Sequence, residues 1–141
     1  MKKTFAAAAL SVMLAFSSAF PAMAAQRVNS AWAESYISSA DSMGIIPSAI
    51  SNIDMTRNIT REEFCELVYN TVITVAKQNS IKITYNAREA HFYDTDSKAV
   101  MMLYRMEIIA GRTSTRFAPK ENITREEAAV VLDKTAEYLG L

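Results

Sequence analysis

Apolar residues recur at helical spacing in four stretches of the chain. Ala33, Ile37, Ala40 and Met43 mark the first, with Trp32 and Tyr36 alongside. Ser30 stands at its N-cap position and Gly44 closes it. Phe64, Leu67, Val68, Val72 and Val75 mark the second. Val100, Leu103 and Met106 mark the third, with Asp94 or Asp96 as the expected cap. Ala128, Val131, Leu132 and Leu139 mark the fourth, which meets Gly140 as its C′ residue. Between the second and third, Ile81, Ile83 and Tyr85 alternate with polar residues, the pattern of a short extended segment.

The four stretches fall into two similar pairs. Ile59-Thr60-Arg61-Glu62-Glu63 recurs 64 residues later as Ile123-Thr124-Arg125-Glu126-Glu127, and Met43-Gly44-Ile45-Ile46 recurs 63 residues later as Met106-Glu107-Ile108-Ile109. A near-constant offset over two blocks indicates a duplicated unit. Each longer helix opens with the same local signal. Thr60 and Glu63, like Thr124 and Glu127, have the spacing of a capping box, in which hydroxyl and carboxylate each satisfy a free backbone N–H. Ile59 and Phe64 occupy the positions of a hydrophobic staple. The fold expected is all-α: two helix–loop–helix repeats packed into one body, because a single two-helix unit leaves much of its apolar face in water.

Composition and charge refine this picture. Only three Gly and three Pro in 141 residues speak against a loop-rich β-sandwich. Residues 1–24 read as a secretory leader: Lys2 and Lys3 form the positive start, Phe5 to Phe16 an apolar stretch too short to span a bilayer, and Ala22-Met23-Ala24 the small-residue cleavage site. After cleavage no membrane span is expected. The full chain has 15 basic and 15 acidic residues; loss of the two leader lysines leaves it mildly acidic, which gives no reason to expect nucleic acid. The expected boundaries are 1–24 for the leader, 25–78 for the first unit, 79–91 for the connector and 92–141 for the second unit. One cysteine excludes an intrachain disulfide framework and a multi-cysteine metal site. No cofactor and no metal are expected.

The two units resemble the S-layer homology (SLH) domain family. The second shows Phe92-Tyr93-Asp94, Ile108-Ile109-Ala110-Gly111, Phe117-Ala118-Pro119 and Ile123-Thr124-Arg125-Glu126-Glu127. The first shows Trp32-Ala33, Gly44-Ile45-Ile46 and Ile59-Thr60-Arg61-Glu62-Glu63, with no glycine from Pro47 to Asn58. The resemblance implies an exported, non-enzymatic module that attaches non-covalently to the bacterial cell envelope, on the cell wall or cell surface. The partner it implies is an acidic cell-wall polysaccharide bearing a pyruvate ketal. Carried over, the glycan site would comprise Arg125, Arg61, Asp94 and Gly111. Arg112, Phe117 and Trp32 join them as a charge and two aromatic walls. The chemistry is coherent: a guanidinium meets a carboxylate with two parallel hydrogen bonds, and a helix N-terminus favours an anion. The alternative is an assembly role without glycan binding, in which the chain pairs with another SLH protein or with itself.

Other groups have plainer readings. Cys65 is expected as a buried free thiol, and a catalytic role would need His91, which lies in a different element. Glu62/Glu63 and Glu126/Glu127 are adjacent on their helices, point different ways and form no acid/base dyad by themselves.

Overall fold

A computed structural model describes residues 27–141, Arg88 and Ala90 excepted. The leader assigned to residues 1–24 lies outside the described residues. Four α-helices carry the fold: α1, Glu34–Ser42; α2, Arg61–Gln78; α3, Lys98–Arg105; and α4, Arg125–Leu139. Short 3₁₀ turns at Ala31–Ala33 and Ser48–Ile50 flank α1. The described residues contain no sheet, only two isolated bridges, Val28 with Asp54 and Thr60 with Asn122. Ile81, Ile83 and Tyr85 are irregular, and Tyr138 clamps them by accepting from Thr84 N and donating to Thr84 O, both at 2.8 Å.

Both capping boxes form. Thr60 accepts from Glu63 N, and Glu63 accepts in return from Thr60 N at 2.9 Å. Thr124 and Glu127 do the same, with almost identical backbone angles at the two threonines. The expected cap of α3 is corrected: Ser97, not Asp94 or Asp96, accepts from Val100 N. Asp94 lies three residues too early and is engaged elsewhere. Ser30 precedes the 3₁₀ turn and its side chain makes no cap bond.

The shorter helices end alike. After α1, Gly44 N donates to Asp41 O and Ile45 N to Ala40 O, the paired bonds of a Schellman turn. After α3, Glu107 N donates to Tyr104 O and Ile108 N to Leu103 O. The pivot has φ +73° at Gly44 and +63° at Glu107. A glutamate in this left-handed region costs about 1 kcal/mol that glycine avoids. Its carboxylate is held by Asn86 Nδ2 at 2.7 Å.

α2 is the central rod, and α3 and α4 both pack on it. The core joins Cys65, Val68, Val72 and Ala76 of α2 to Val100, Leu103 and Met106, to Val131 and Leu139, and to Phe92, Ile108, Ile109 and Phe117 from the loops. Each fully buried aliphatic side chain there contributes about 1.5–3 kcal/mol. The buried stripe of α2 is rotated from the expected one, with Phe64 and Val75 at its margin, because the partners approach from the Cys65–Val72 side. On α4, Leu132 is 55% exposed rather than buried. Thr135 takes the inner position and donates its hydroxyl to Val131 O at 2.7 Å.

Glu63 makes the fold acid-sensitive. Hydrogen bonds from Arg57, and from Thr60 N, lower its pKa from 4.5 to about 2. The carboxylate's stabilisation is therefore complete above pH 4.5 and disappears as pH falls toward 2. Urea unfolding across this window should show falling stability, with a shallower slope in Glu63→Gln.

Candidate functional site

The loop after α3 is built around Asp94. Its carboxylate accepts from Phe117 N and Ala118 N, both at 2.8 Å, and these bonds hold its pKa below the usual value. Tyr93 N donates to Thr115 O at 3.0 Å, so the Phe92–Asp94 segment runs alongside the loop. Gly111 sits where this crossing is tightest. A Cβ there would lie 2.4 Å from Phe92 Cε1 and 2.5 Å from Thr113 O. The Phe92 ring in turn packs at 5.7 Å from Phe117.

Into this loop runs the start of α2. Arg61 N donates to Glu121 O at 2.8 Å and Glu62 N to Pro119 O at 3.1 Å, so the loop supplies acceptors for a helix end that has none of its own. The Arg61 side chain follows. Its Nε donates to Phe117 O at 3.1 Å, and one terminal nitrogen donates to Ala110 O at 3.2 Å. The other lies 3.4 Å from Glu127. The guanidinium stands 4.7 Å over the Phe117 ring, and the residue is only 7% exposed.

Beside this joint lies a groove of about 390 Å³. Its floor includes Cys65, Ile108, Ile109, Phe117 and Val131, and its polar groups are Arg61, Arg112, Glu126, Glu127 and Lys134. Glu127 is shared: it caps α4, meets Arg61 and accepts from Arg112. Its pKa is lowered, chiefly by the Thr124 N–H and further by Arg112. Arg112 also reaches Glu121 at 3.2 Å, and it remains substantially solvent-accessible at the rim.

The expected site residues therefore separate. Arg61, Gly111, Arg112 and Phe117 come together in the groove. Asp94 shapes the loop from behind. Arg125 faces a different cleft, of about 530 Å³, with Arg57, Asn58 and Thr124. Trp32 lines neither cleft and is 79% exposed. The sequence marked Glu127 only as a capping residue and did not mark Lys134, although Glu127, Val130, Val131 and Lys134 have the spacing of one helix face.

Cys65 borders the groove but is buried, and burial pushes its thiol up to about 12, against a weaker opposing pull from Arg61. It is thus held as the poorly nucleophilic thiol at neutral pH. His91 is exposed and pairs with Glu89 at 3.9 Å. Among the described residues no group of three His, Cys, Asp or Glu could hold a metal ion, and no helix is long and apolar enough to cross a membrane.

These features define a small helical module with a mixed apolar and charged groove. Residues 93–129 match the family model described as the S-layer homology domain. The matched segment spans the Asp94-braced loop, the groove wall and the start of α4, and the family it matches is known for cell-envelope attachment. The chain is also 27% identical over 127 residues to an endoglucanase from Bacillus sp. (strain KSM-635), covering 87% of this chain and 12% of that protein. It is 29% identical over 111 residues to an amylopullulanase from Thermoanaerobacterium thermosulfurigenes, covering 77% of this chain and 6% of that protein. The chain thus spans a small fraction of the length of these relatives. No solved structure matches it.

Two outcomes are expected. Arg61→Ala leaves the Phe117 and Ala110 carbonyls and Glu127 without their partner, and should cost about 2–4 kcal/mol in denaturant unfolding. Cys65 should resist iodoacetamide in the native protein and react on unfolding, as followed by mass spectrometry.

Proposed function

We infer that the exported chain consists of two S-layer homology units, 25–78 and 92–141, with 79–91 as connector, and that it attaches to the cell envelope by binding an acidic wall polysaccharide in the Arg61–Phe117 groove. The observation that carries this reading is the groove itself. It joins the start of the first unit's long helix to the Gly111 loop of the second, inside and beside the segment that matches the family. The repeated capping boxes and Schellman turns support the two-unit reading.

The groove chemistry suits a sugar carrying a carboxylate, such as a pyruvate ketal. An apolar floor packs against a sugar face, and cations at the rim meet the acid. All three guanidinium nitrogens of Arg61 already face protein acceptors, so Arg61 builds the wall. The ligand's carboxylate falls to Arg112 and Lys134, which remain accessible to solvent. Glu127 competes for Arg112, so binding exchanges one carboxylate for another and should weaken with salt. The groove holds no nucleophile poised for chemistry, and the reading is a binding role without catalysis.

Co-sedimentation of the purified exported protein with isolated cell walls tests this. Binding is expected to walls that retain their acidic polysaccharide and to be lost from extracted walls. Arg112→Ala should weaken it about tenfold without loss of helicity. Equal binding to both wall preparations would reject the polysaccharide as ligand.

A further inference from the structure

The strongest helix packing in the chain joins the two units. α2 of the first unit lies against α3 of the second, burying Val68 on one side and Ala99, Val100, Leu103 and Met106 on the other. Each half of this joint has a counterpart elsewhere in the same chain. By the repeat offset, α1 corresponds to α3: Tyr36 to Ala99, Ile37 to Val100, Ala40 to Leu103 and Met43 to Met106. Likewise α4 corresponds to α2, with Leu132 matching Val68 and Arg125 matching Arg61.

Both counterparts are open. α1 buries no residue; Tyr36 is 73% exposed and Met43 45%, and Trp32, one turn before Tyr36, extends the same face. On α4, Leu132 is exposed where Val68 is covered. Arg125 makes no hydrogen bond or ion pair with any described residue, whereas Arg61 is fully engaged. Among the described residues no carbonyl of another segment accepts from Arg125 N or Glu126 N, as Glu121 O and Pro119 O accept at the start of α2. Exposed aromatic and aliphatic residues grouped on one face mark an interaction surface.

We propose that two copies of this chain associate reciprocally, α4 of each docking on the Trp32–Tyr36–Met43 face of α1 of the other, as α2 docks on α3 within the chain. The occupant is specified by the chain itself. A single copy carries both halves of a joint it already makes once internally, and among the described residues the α1 and α4 counterparts of those halves are uncovered. A two-fold axis satisfies both ends at once and closes the assembly. The inference rests on the two-unit reading and is independent of glycan binding.

The exported chain, without any wall polymer, tests it by sedimentation velocity from about 1 to about 200 µM. A concentration-dependent dimer is expected. Emission from Trp32, the only tryptophan, should shift to the blue as the dimer forms. Tyr36→Lys and Leu132→Glu should each weaken association about tenfold or more, with circular dichroism unchanged, and the milder Leu132→Ala should act in the same direction. Mixing Tyr36→Lys with Leu132→Glu leaves one native joint and should restore association above that of either variant alone. A monomer throughout the range would overturn the proposal, as would a dimer indifferent to Leu132. Association only with a different S-layer homology protein would overturn self-pairing and assign the surface to that partner.

Discussion

The fold depends on how the first turn of α2 is satisfied. A helix start presents N–H groups without intrahelical acceptors, and an arginine there adds a charge that is costly to bury. The loop between α3 and α4 resolves both. Its Pro119 and Glu121 carbonyls accept from the α2 backbone, and its Ala110 and Phe117 carbonyls accept from Arg61. This one joint fixes the loop, seats Phe117 in the core and sets the width of the adjacent groove. Beside it, Glu62 accepts from Thr95 and Lys120, and apolar contacts along α2, which are less directional, complete the packing.

The loop is rigid for reasons on its other side. Asp94 ties down Phe117 and Ala118, and Gly111 allows the backbone to pass Phe92 at a distance no side chain permits. The same Glu127 that caps α4 faces Arg61 and Arg112, so local helix capping and groove electrostatics share one carboxylate. The same carboxylate thereby orients the two guanidinium groups beside the groove. The design keeps the charges fixed while leaving Arg112 accessible.

Much of the helical framework was legible in the sequence because its signals are short-ranged. The capping boxes at Thr60 and Thr124 join residues three apart, and the turn after Met43 needs only Gly44. The S-layer homology resemblance of residues 93–129 rests on similarly local motifs. The cap of α3 was harder to read, since Asp94, Asp96 and Ser97 are all competent and only the demand of Phe117 and Ala118 for an acceptor removes Asp94. Leu132 misled for a related reason: helical spacing marks an apolar position but cannot say whether a neighbour covers it.

Arg61 and Arg125 show where sequence stops. They sit in the same motif, at the same helix position, behind the same capping threonine. Nothing local distinguishes them. Arg61 is buried in a loop some fifty residues away and Arg125 is exposed, because the loop after α3 packs over the start of α2 and no described segment covers the start of α4. The sequence by itself determined the helices, the capping boxes of α2 and α4 and the repeated motif, all governed by neighbours within a turn or two. Tertiary structure decided which arginine builds the groove, that Glu127 and Lys134 join it, and which helix faces stay open. Burial and charge pairing depend on what packs alongside, and that is set by contacts between residues far apart in sequence.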